Sequence, residues 1–261
     1  MGKRKEYACV LQQTCIAPGI YDMWIETALA AEAKPGQFIN VYPKNQAALL
    51  PRPISICEAD PKQNRIRIVY RTAGIGTTEF SNYHSGKALA ILGTLGNGFP
   101  SEKAVGKRCF LMGGGIGIPP MLQLAKELKA KGVSDVKIIV GYRDANLFLE
   151  GDLKKYGDLF IATEDGSVGS KGNVMDAIRE NHLEADVIFA CGPMPMLRAI
   201  KQYAEANQMD AYISLEERMA CGVGACLGCV CKTTHKDAHS HVNNARVCTD
   251  GPVFDAKEVE I

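Results

Sequence analysis

Arg108-Cys-Phe-Leu-Met112-Gly113-Gly114-Gly115-Ile116-Gly117-Ile118-Pro119-Pro120 carries an apolar run into a cluster of glycines and then into a segment that opens with proline. An apolar run of this length stopped by glycine reads as a buried strand. Proline is tolerated at the start of a helix, where its missing N–H has no partner to lose. Strand, glycine turn and helix form the context in which a glycine motif counts as nucleotide-binding, because the free N–H groups at the helix start can face an anionic oxygen. From Gly115 the pattern is G-x-G-x-x-P. Proline stands where the Rossmann fingerprint has its third glycine, and the competing reading is a plain tight turn between strand and helix.

Downstream, strands expected at 136–141, 159–163, 187–190 and 211–214 alternate with helical runs at 119–131, 173–181 and 195–207, whose apolar residues recur at three- and four-residue spacing. That rhythm predicts a parallel sheet of βαβ units. Upstream it differs: 7–12, 21–27, 37–42, 54–58 and 65–71 are short alternating or β-branched runs between turn residues, which predicts a small antiparallel barrel. After Leu215 the periodicity stops, and a Gly/Cys loop and a short polar tail follow. The expected fold class is therefore β-barrel plus α/β with a small C-terminal metal-binding segment, divided at 1–103, 104–215 and 216–261.

The chain has 261 residues, 46% of them hydrophobic and 23% charged, as ordinary globular proteins do. A complete (β/α)₈ barrel takes about 250 residues, so the chain has no room for one beside a cofactor domain. Thirty basic residues against 29 acidic ones give a net charge of +1, which provides no field to hold nucleic acid. The uncharged stretch 109–125 is broken by glycines and prolines, so no membrane span is expected. Charge at Lys3, Arg4, Lys5 and Glu6 stands where a secretory signal would turn apolar, and a cytoplasmic location is expected.

Of ten cysteines, Cys9, Cys15, Cys57, Cys109 and Cys191 are scattered among apolar neighbours and most read as buried thiols. The others crowd together. Cys221-Gly-Val-Gly-Ala-Cys226-Leu-Gly-Cys229, with Cys248, is C-x₄-C-x₂-C…C, the plant-type spacing for a [2Fe–2S] cluster. Two irons need four thiolates close together, so the backbone must wrap tightly, and Gly222, Gly224 and Gly228 permit that. Cys226 to Cys231 repeats the first spacing but has no third cysteine behind it, which leaves Cys231 spare. A structural zinc site usually shows two C-x₂-C knuckles; this chain has one. His235, His239 and His241 lie between the third and fourth ligands and read as a solvated hairpin tip.

Arg52-Pro53-Ile54-Ser55 enters a barrel strand, and Val69-Tyr70-Arg71 leads into Gly74-Ile75-Gly76-Thr77-Thr78. Alone, Arg52 is a surface charge and Gly76-Thr77 a helix start. Together they suit a pyrophosphate, with glycine allowing backbone approach and arginine forking onto oxygen. Arg-Pro-Ile-Ser resembles the Arg-x-Tyr-Ser flavin motif of the ferredoxin–NADP reductase superfamily. The resemblance implies that Arg52 contacts FAD pyrophosphate and Ser55 lies near the isoalloxazine. Ile54 replaces the aromatic that often stacks there, and Tyr70 is the candidate to take over part of that role. In the same superfamily a glycine turn and a Cys-Gly-Pro run flank the nicotinamide, which here implies Gly114, Gly115 and Gly117 with Cys191, Gly192 and Pro193. Asp144 suits a ribose hydroxyl and Arg143 a 2′-phosphate, leaving NAD and NADP both open, while Asp165-Gly166-Ser167 reads as an Asx turn.

Taken whole, the order of segments, Glu216-Glu-Arg-Met-Ala-Cys-Gly-Val-Gly-Ala-Cys226 and Cys248-Thr-Asp-Gly-Pro-Val-Phe254 resemble the electron transfer subunits of the dihydroorotate dehydrogenase B family. The resemblance implies FAD, a [2Fe–2S] cluster and NAD. It also implies an FMN-containing catalytic partner that oxidises dihydroorotate in pyrimidine biosynthesis, assembled two and two. Electrons would run from partner FMN through the cluster and FAD to NAD⁺. No general acid or base is expected, since hydride transfer to NAD⁺ needs none. The alternatives are a reductase passing electrons from NAD(P)H outward to an oxygenase, hydrogenase or ferredoxin, and a redox-inert adaptor built on zinc.

Overall fold

In the computed structural model, which describes residues 4–236 and 241–261, alternation of apolar and polar residues builds the N-terminal part. Six strands, β1 (Arg4–Ala17), β2 (Ile20–Glu26), β3 (Phe38–Tyr42), β4 (Arg52–Asp60), β5 (Arg65–Arg71) and β6 (Ala88–Leu95), close into an antiparallel barrel in the order β1-β2-β5-β4-β3-β6. Met23, Ile25, Ile39, Val41, Ile66, Ile68, Leu89 and Ile91 are buried in its core, as the two-residue period of a strand requires. The sequence reading missed β6, which closes the barrel between β1 and β3. A seven-residue helix, α1 (Ile75–Ser81), follows β5.

The chain then alternates as expected: β7 (Cys109–Gly114), α2 (Pro119–Ala130), β8 (Val136–Tyr142), α3 (Glu150–Leu153), β9 (Asp158–Thr163), β10 (Ser170–Lys171), α4 (Val174–Glu180), β11 (Val187–Cys191), α5 (Met194–Ala206) and β12 (Asp210–Ser214). β7 is central and buried along its length. Its Cys109 and Leu111 pack with α2, while Phe110 and Met112 pack with α4 and α5 on the opposite face. The strand order β10-β9-β8-β7-β11-β12 reverses direction at β7, which makes the carboxyl end of β7 the switch point where such sheets bind ligands.

The last segment departs from the expected polar tail. After a short hairpin, β13 (Val230–Lys232) with β14 (Asn244–Arg246), the chain returns as β15 (Val253–Asp255) and pairs antiparallel with β12 at the sheet edge. Val253 and Phe254 are buried there, and burial of this apolar pair is what makes three residues enough to hold the strand.

Barrel and sheet are fastened to each other. Gln123 of α2 accepts the Ala59 N–H at 2.8 Å, and Lys126 pairs with Glu58 at 2.7 Å. Arg67 of β5, 11% exposed, bonds Asp22 and reaches Asp152 of α3, both at 2.8 Å. Cys57 and Cys109 are buried as expected, but Cys9 is half-buried and Cys15 exposed, because β1 beyond Cys9 pairs with β2 alone. His235 and His241 are exposed in the connection between β13 and β14; His239 lies outside the described residues.

Candidate functional site

The barrel presents a cavity of about 270 Å³ toward the sheet. Arg52, Pro53, Ile54 and Ser55 from β4, Val69, Tyr70 and Arg71 from β5, and Thr77 from α1 line it. The antiparallel pairing of β4 with β5 brings these two sequence segments together. Arg52 is held by a hydrogen bond from Nη1 to the Leu50 carbonyl at 2.6 Å. A Cβ at Gly76 would lie 2.9 Å from Arg52 Nε, so the guanidinium rests directly on that glycine. Thr77 Oγ1 accepts the Ala73 N–H at 2.8 Å and donates to the Gly74 carbonyl at 3.1 Å, which spends the hydroxyl on the turn.

Tyr70 differs from its expected role. Its ring stacks on Tyr21 with centroids 5.8 Å apart, meets Phe80 edge-on, and is 2% exposed. Its hydroxyl donates to Gln13 Oε1 at 2.7 Å. Tyr70 is a wall of the cavity and offers no free face to an aromatic ligand.

A second cavity, about 350 Å³, opens at the switch point. Gly114 and Gly115 line it at the end of β7, with Gly192 and Pro193 following β11. Gly115, at φ +53, has nothing within 4 Å of where a Cβ would stand, so the glycine leaves a cradle facing the cavity. Gly117 and Cys191 do not line it. A Cβ on Gly117 would collide with the Cys191 carbonyl oxygen, and Cys191 is buried, which pushes its thiol up to about 12. These two residues set the close approach of turn and strand behind the cavity. Arg143 lines the cavity as the sequence allowed, but Asp144 turns aside to accept the Asn146 N–H at 2.8 Å. Glu164, after β9, supplies the acidic group there instead. Asp165 accepts the Ser167 N–H at 2.9 Å in the expected Asx turn.

The two cavities share Arg71, Ile116 and Glu216 as a common wall. Glu216 was absent from the residues singled out by sequence for the cofactor sites. Its carboxyl opens into the cleft between walls of protein, and this desolvation raises it above the usual carboxylate range while Arg71 pulls the other way. Its one sequence signal was an acidic residue just past the carboxyl end of a strand.

The cysteine loop lies against the first cavity, which Leu215 and Met219 help to line. The thiols sort into two neighbouring pairs, Cys221 with Cys226 and Cys248 with Cys229, in each of which the second thiol is close enough to shift the titration of the first. Burial works to raise Cys221, but N–H groups of Val223, Cys226 and Ala225 and the Cys226 thiol outweigh it and bring the group down to about 6. Cys221 Sγ accepts from Val223 N at 3.4 Å and Ala225 N at 3.3 Å, and Cys226 Sγ from Gly228 N at 3.4 Å. Burial first, then the Cys229 thiol, hold Cys248 up at about 11. Among the described residues, no three His, Cys, Asp or Glu converge on a single-ion position. Two pairs of thiols with N–H donors aimed at sulfur fit a two-iron cluster, in which each iron takes two protein ligands. Cys231 sits in β13, paired with Ala245 and packed on the core, and burial raises it to about 11.

Comparisons with known proteins agree with this geometry. Residues 216–260 match the iron-sulfur cluster binding domain of dihydroorotate dehydrogenase B, and residues 111–202 the oxidoreductase NAD-binding domain. The chain is 43% identical to the dihydroorotate dehydrogenase B (NAD(+)) electron transfer subunit of Geobacillus sp. (strain WCH70), covering 98% of each. Among solved structures, an NADH-dependent reduced ferredoxin–NADP oxidoreductase studied for flavin-based electron bifurcation aligns with a TM-score of 0.84 at 25% identity, over 97% of this chain and 89% of that one. A ferredoxin NADP⁺ reductase from Neisseria gonorrhoeae with bound FAD and NADP aligns with a TM-score of 0.66 at 16% identity, over 77% and 91%, a likeness of fold.

Proposed function

The chain belongs to the family of dihydroorotate dehydrogenase B electron transfer subunits, and from that membership we propose how its residues divide the work. It is an oxidoreductase subunit that uses FAD, a [2Fe–2S] cluster and NAD, and it serves a separate catalytic subunit in pyrimidine biosynthesis. When bound, FAD exchanges a hydride on one side and single electrons on the other, and the cluster relays electrons singly.

Arg52, lying across Gly76, takes the FAD pyrophosphate, with Thr77 fixing the turn beneath it. Pro53, Ile54, Ser55, Val69, Tyr70 and Arg71 form the walls that hold the flavin ring. Gly114, Gly115, Gly192 and Pro193 bound the nicotinamide side, and Gly117 and Cys191 hold those two segments in register behind it. Glu164 accepts a ribose hydroxyl and disfavours a 2′-phosphate by charge. Cys221, Cys226, Cys229 and Cys248 are the cluster ligands.

The observation that carries this reading is the wall shared by the two cavities, at Arg71, Ile116 and Glu216, with the cysteine loop beginning a few residues beyond it. Hydride transfer demands direct contact between donor and acceptor rings. The hydride step itself needs no side chain to hold or move a proton, whereas each pair of electrons arriving singly from the cluster would have to be matched by one proton taken up from solvent; Glu216 and Arg71 orient the rings.

We further infer that the partner carries FMN, that the assembly holds two of each subunit, and that it works in the cytoplasm; among the described residues no helix is long and apolar enough to cross a membrane. The test is co-expression with the natural partner. Copurification of a flavoprotein, together with NAD⁺ reduction driven by dihydroorotate, is expected. An isolated complex with both cofactors that cannot reduce NAD⁺ from dihydroorotate refutes the reading.

A further inference from the structure

Asn40 is fully buried, yet it lies on the outer face of the barrel wall. Its β3 neighbours Ile39 and Val41 point into the barrel core, while Phe38, on the same side as Asn40, borders the first cavity. Across the ladder Asn40 stands opposite Pro53 of the same cavity. The side chain reaches outward to the cysteine loop, where Nδ2 donates to the Cys221 carbonyl at 3.3 Å. Gly222, at φ +69, presses on the same amide: a Cβ there would run into Asn40 Nδ2 and come within 3.3 Å of Leu95 Cδ1. One side chain thus spans from the strand that walls the flavin cavity to the backbone of the first cluster ligand.

The other half of the amide sets this contact apart. Asn40 Oδ1 is the one buried side-chain nitrogen or oxygen without a hydrogen-bond partner among the described residues. A buried acceptor left unpaired is costly, and an apolar side chain of the same shape would remove that cost. Packing alone therefore favours leucine at this position.

We propose that Asn40 is a positioning residue that fixes the cysteine loop against the flavin-binding strand, so that cluster and flavin keep one separation and one relative orientation. The inference rests on the reading of Cys221, Cys226, Cys229 and Cys248 as cluster ligands. Releasing the Cys221 carbonyl frees the loop to lift from β3, and electron exchange between two fixed centres falls steeply when their geometry slips.

Asn40→Leu and Asn40→Asp test this in the assembled holoprotein. Leucine relieves the unpaired acceptor and cannot donate to the Cys221 carbonyl; aspartate keeps the shape and loses the donor only when ionised, so that variant is read across pH, at a pH high enough to ionise it. The readouts are FAD and iron content, the EPR spectrum of the reduced cluster, and stopped-flow rates for flavin and for cluster reduction by NADH. Both variants are expected to retain FAD. Their cluster signals should broaden or shift in g value, and cluster reduction should slow by about tenfold or more relative to flavin reduction. Loss of iron from both variants with FAD retained supports the same role. If leucine abolishes folding, aspartate alone decides. A wild-type EPR spectrum and a wild-type ratio of cluster to flavin reduction rates, in the leucine variant or in the aspartate variant once ionised, overturns the proposal. A wild-type protein without an iron–sulfur signal instead overturns the ligand assignment on which it rests.

Discussion

Replacing Gly117 with alanine tests how tightly the nicotinamide side is built. The added Cβ would lie 2.6 Å from the Cys191 carbonyl carbon and 2.7 Å from Gly192 N. Both are backbone atoms of the segment after β11, so no side chain can swing aside. Ordinary contact begins at 3.4 Å and the Cys191 carbonyl oxygen is nearer still than these two atoms, so the glycine turn and the Cys191–Gly192 segment must part by about 1 Å. Overpacking of this kind costs about 2 kcal/mol, which for a chain of this size lowers Tm by roughly 4–8 °C. The functional loss should be larger, because a displacement near 1 Å at a reacting centre costs on the order of a hundredfold in rate. NADH-dependent ferricyanide reduction measures it, with FAD content as the control. Gly115→Ala separates strain from displacement. Its Cβ meets nothing in the protein but enters the cavity at a left-handed φ, so Tm should fall by only a few degrees while KM for NADH rises. A Gly117→Ala protein with wild-type Tm and kcat/KM would refute the argument.

Cys226→Ser should lose the iron–sulfur absorption and EPR signal, while Cys231→Ser, altered in a core-packed strand, should keep both; equal loss in the two would mean the ligand register is wrong. Glu216→Gln should raise Tm at neutral pH. A carboxyl held above its ordinary value by desolvation in the cleft contributes stability below about pH 4 that is lost as pH rises through the raised value, so the advantage of glutamine should vanish in acid. Arg67→Met leaves Asp22 without the cation it bonds and takes one from Glu58 and Asp152; denaturant titration should show a loss of about 3–5 kcal/mol. For Asp152, burial raises the carboxyl but Lys155 and Arg67 lower it further. Its stabilisation is present above about pH 4 and disappears as pH falls through the lowered value, and Arg67→Met should weaken that acid dependence.

What the sequence made legible is what local geometry alone dictates. The strand and glycine turn around Gly115 and the spacing of Cys221, Cys226 and Cys229 are short-range patterns; the structure has Gly115 lining the second cavity at the end of β7 and Cys226 beside Cys221. β6 alternates as regularly as the other strands, but Ala88, Ala90, Gly93 and Thr94 dilute the hydrophobic signal. β15 has three residues, too few for any periodicity. The remaining departures depend on tertiary neighbours. Tyr70 loses its free face to Tyr21 and Phe80, which arrive from other elements. Asp144 gives way to Glu164 because its loop folds back on Asn146. Glu216 acquires its place only when barrel and sheet meet.

The pairing of β15 with β12 has a consequence for how electrons enter the molecule. The excursion that holds the cysteines departs from Ser214 and returns at Val253, two residues that face each other in the ladder. Leu215 N–H bonds the Pro252 carbonyl at 2.9 Å, and Asn97 of the barrel side grips the Gly251 carbonyl at 2.6 Å. Both ends are thus soldered to the same plate. A redox carrier on a flexible leash can swing from donor to acceptor and spend turnover time searching; a loop closed at its own base cannot. On the proposed ligand assignment, an iron centre held by this loop would be a terminal in a fixed circuit, to which the partner subunit has to dock. Docking geometry between subunits, and not the travel of a tethered domain, then sets the pace of exchange.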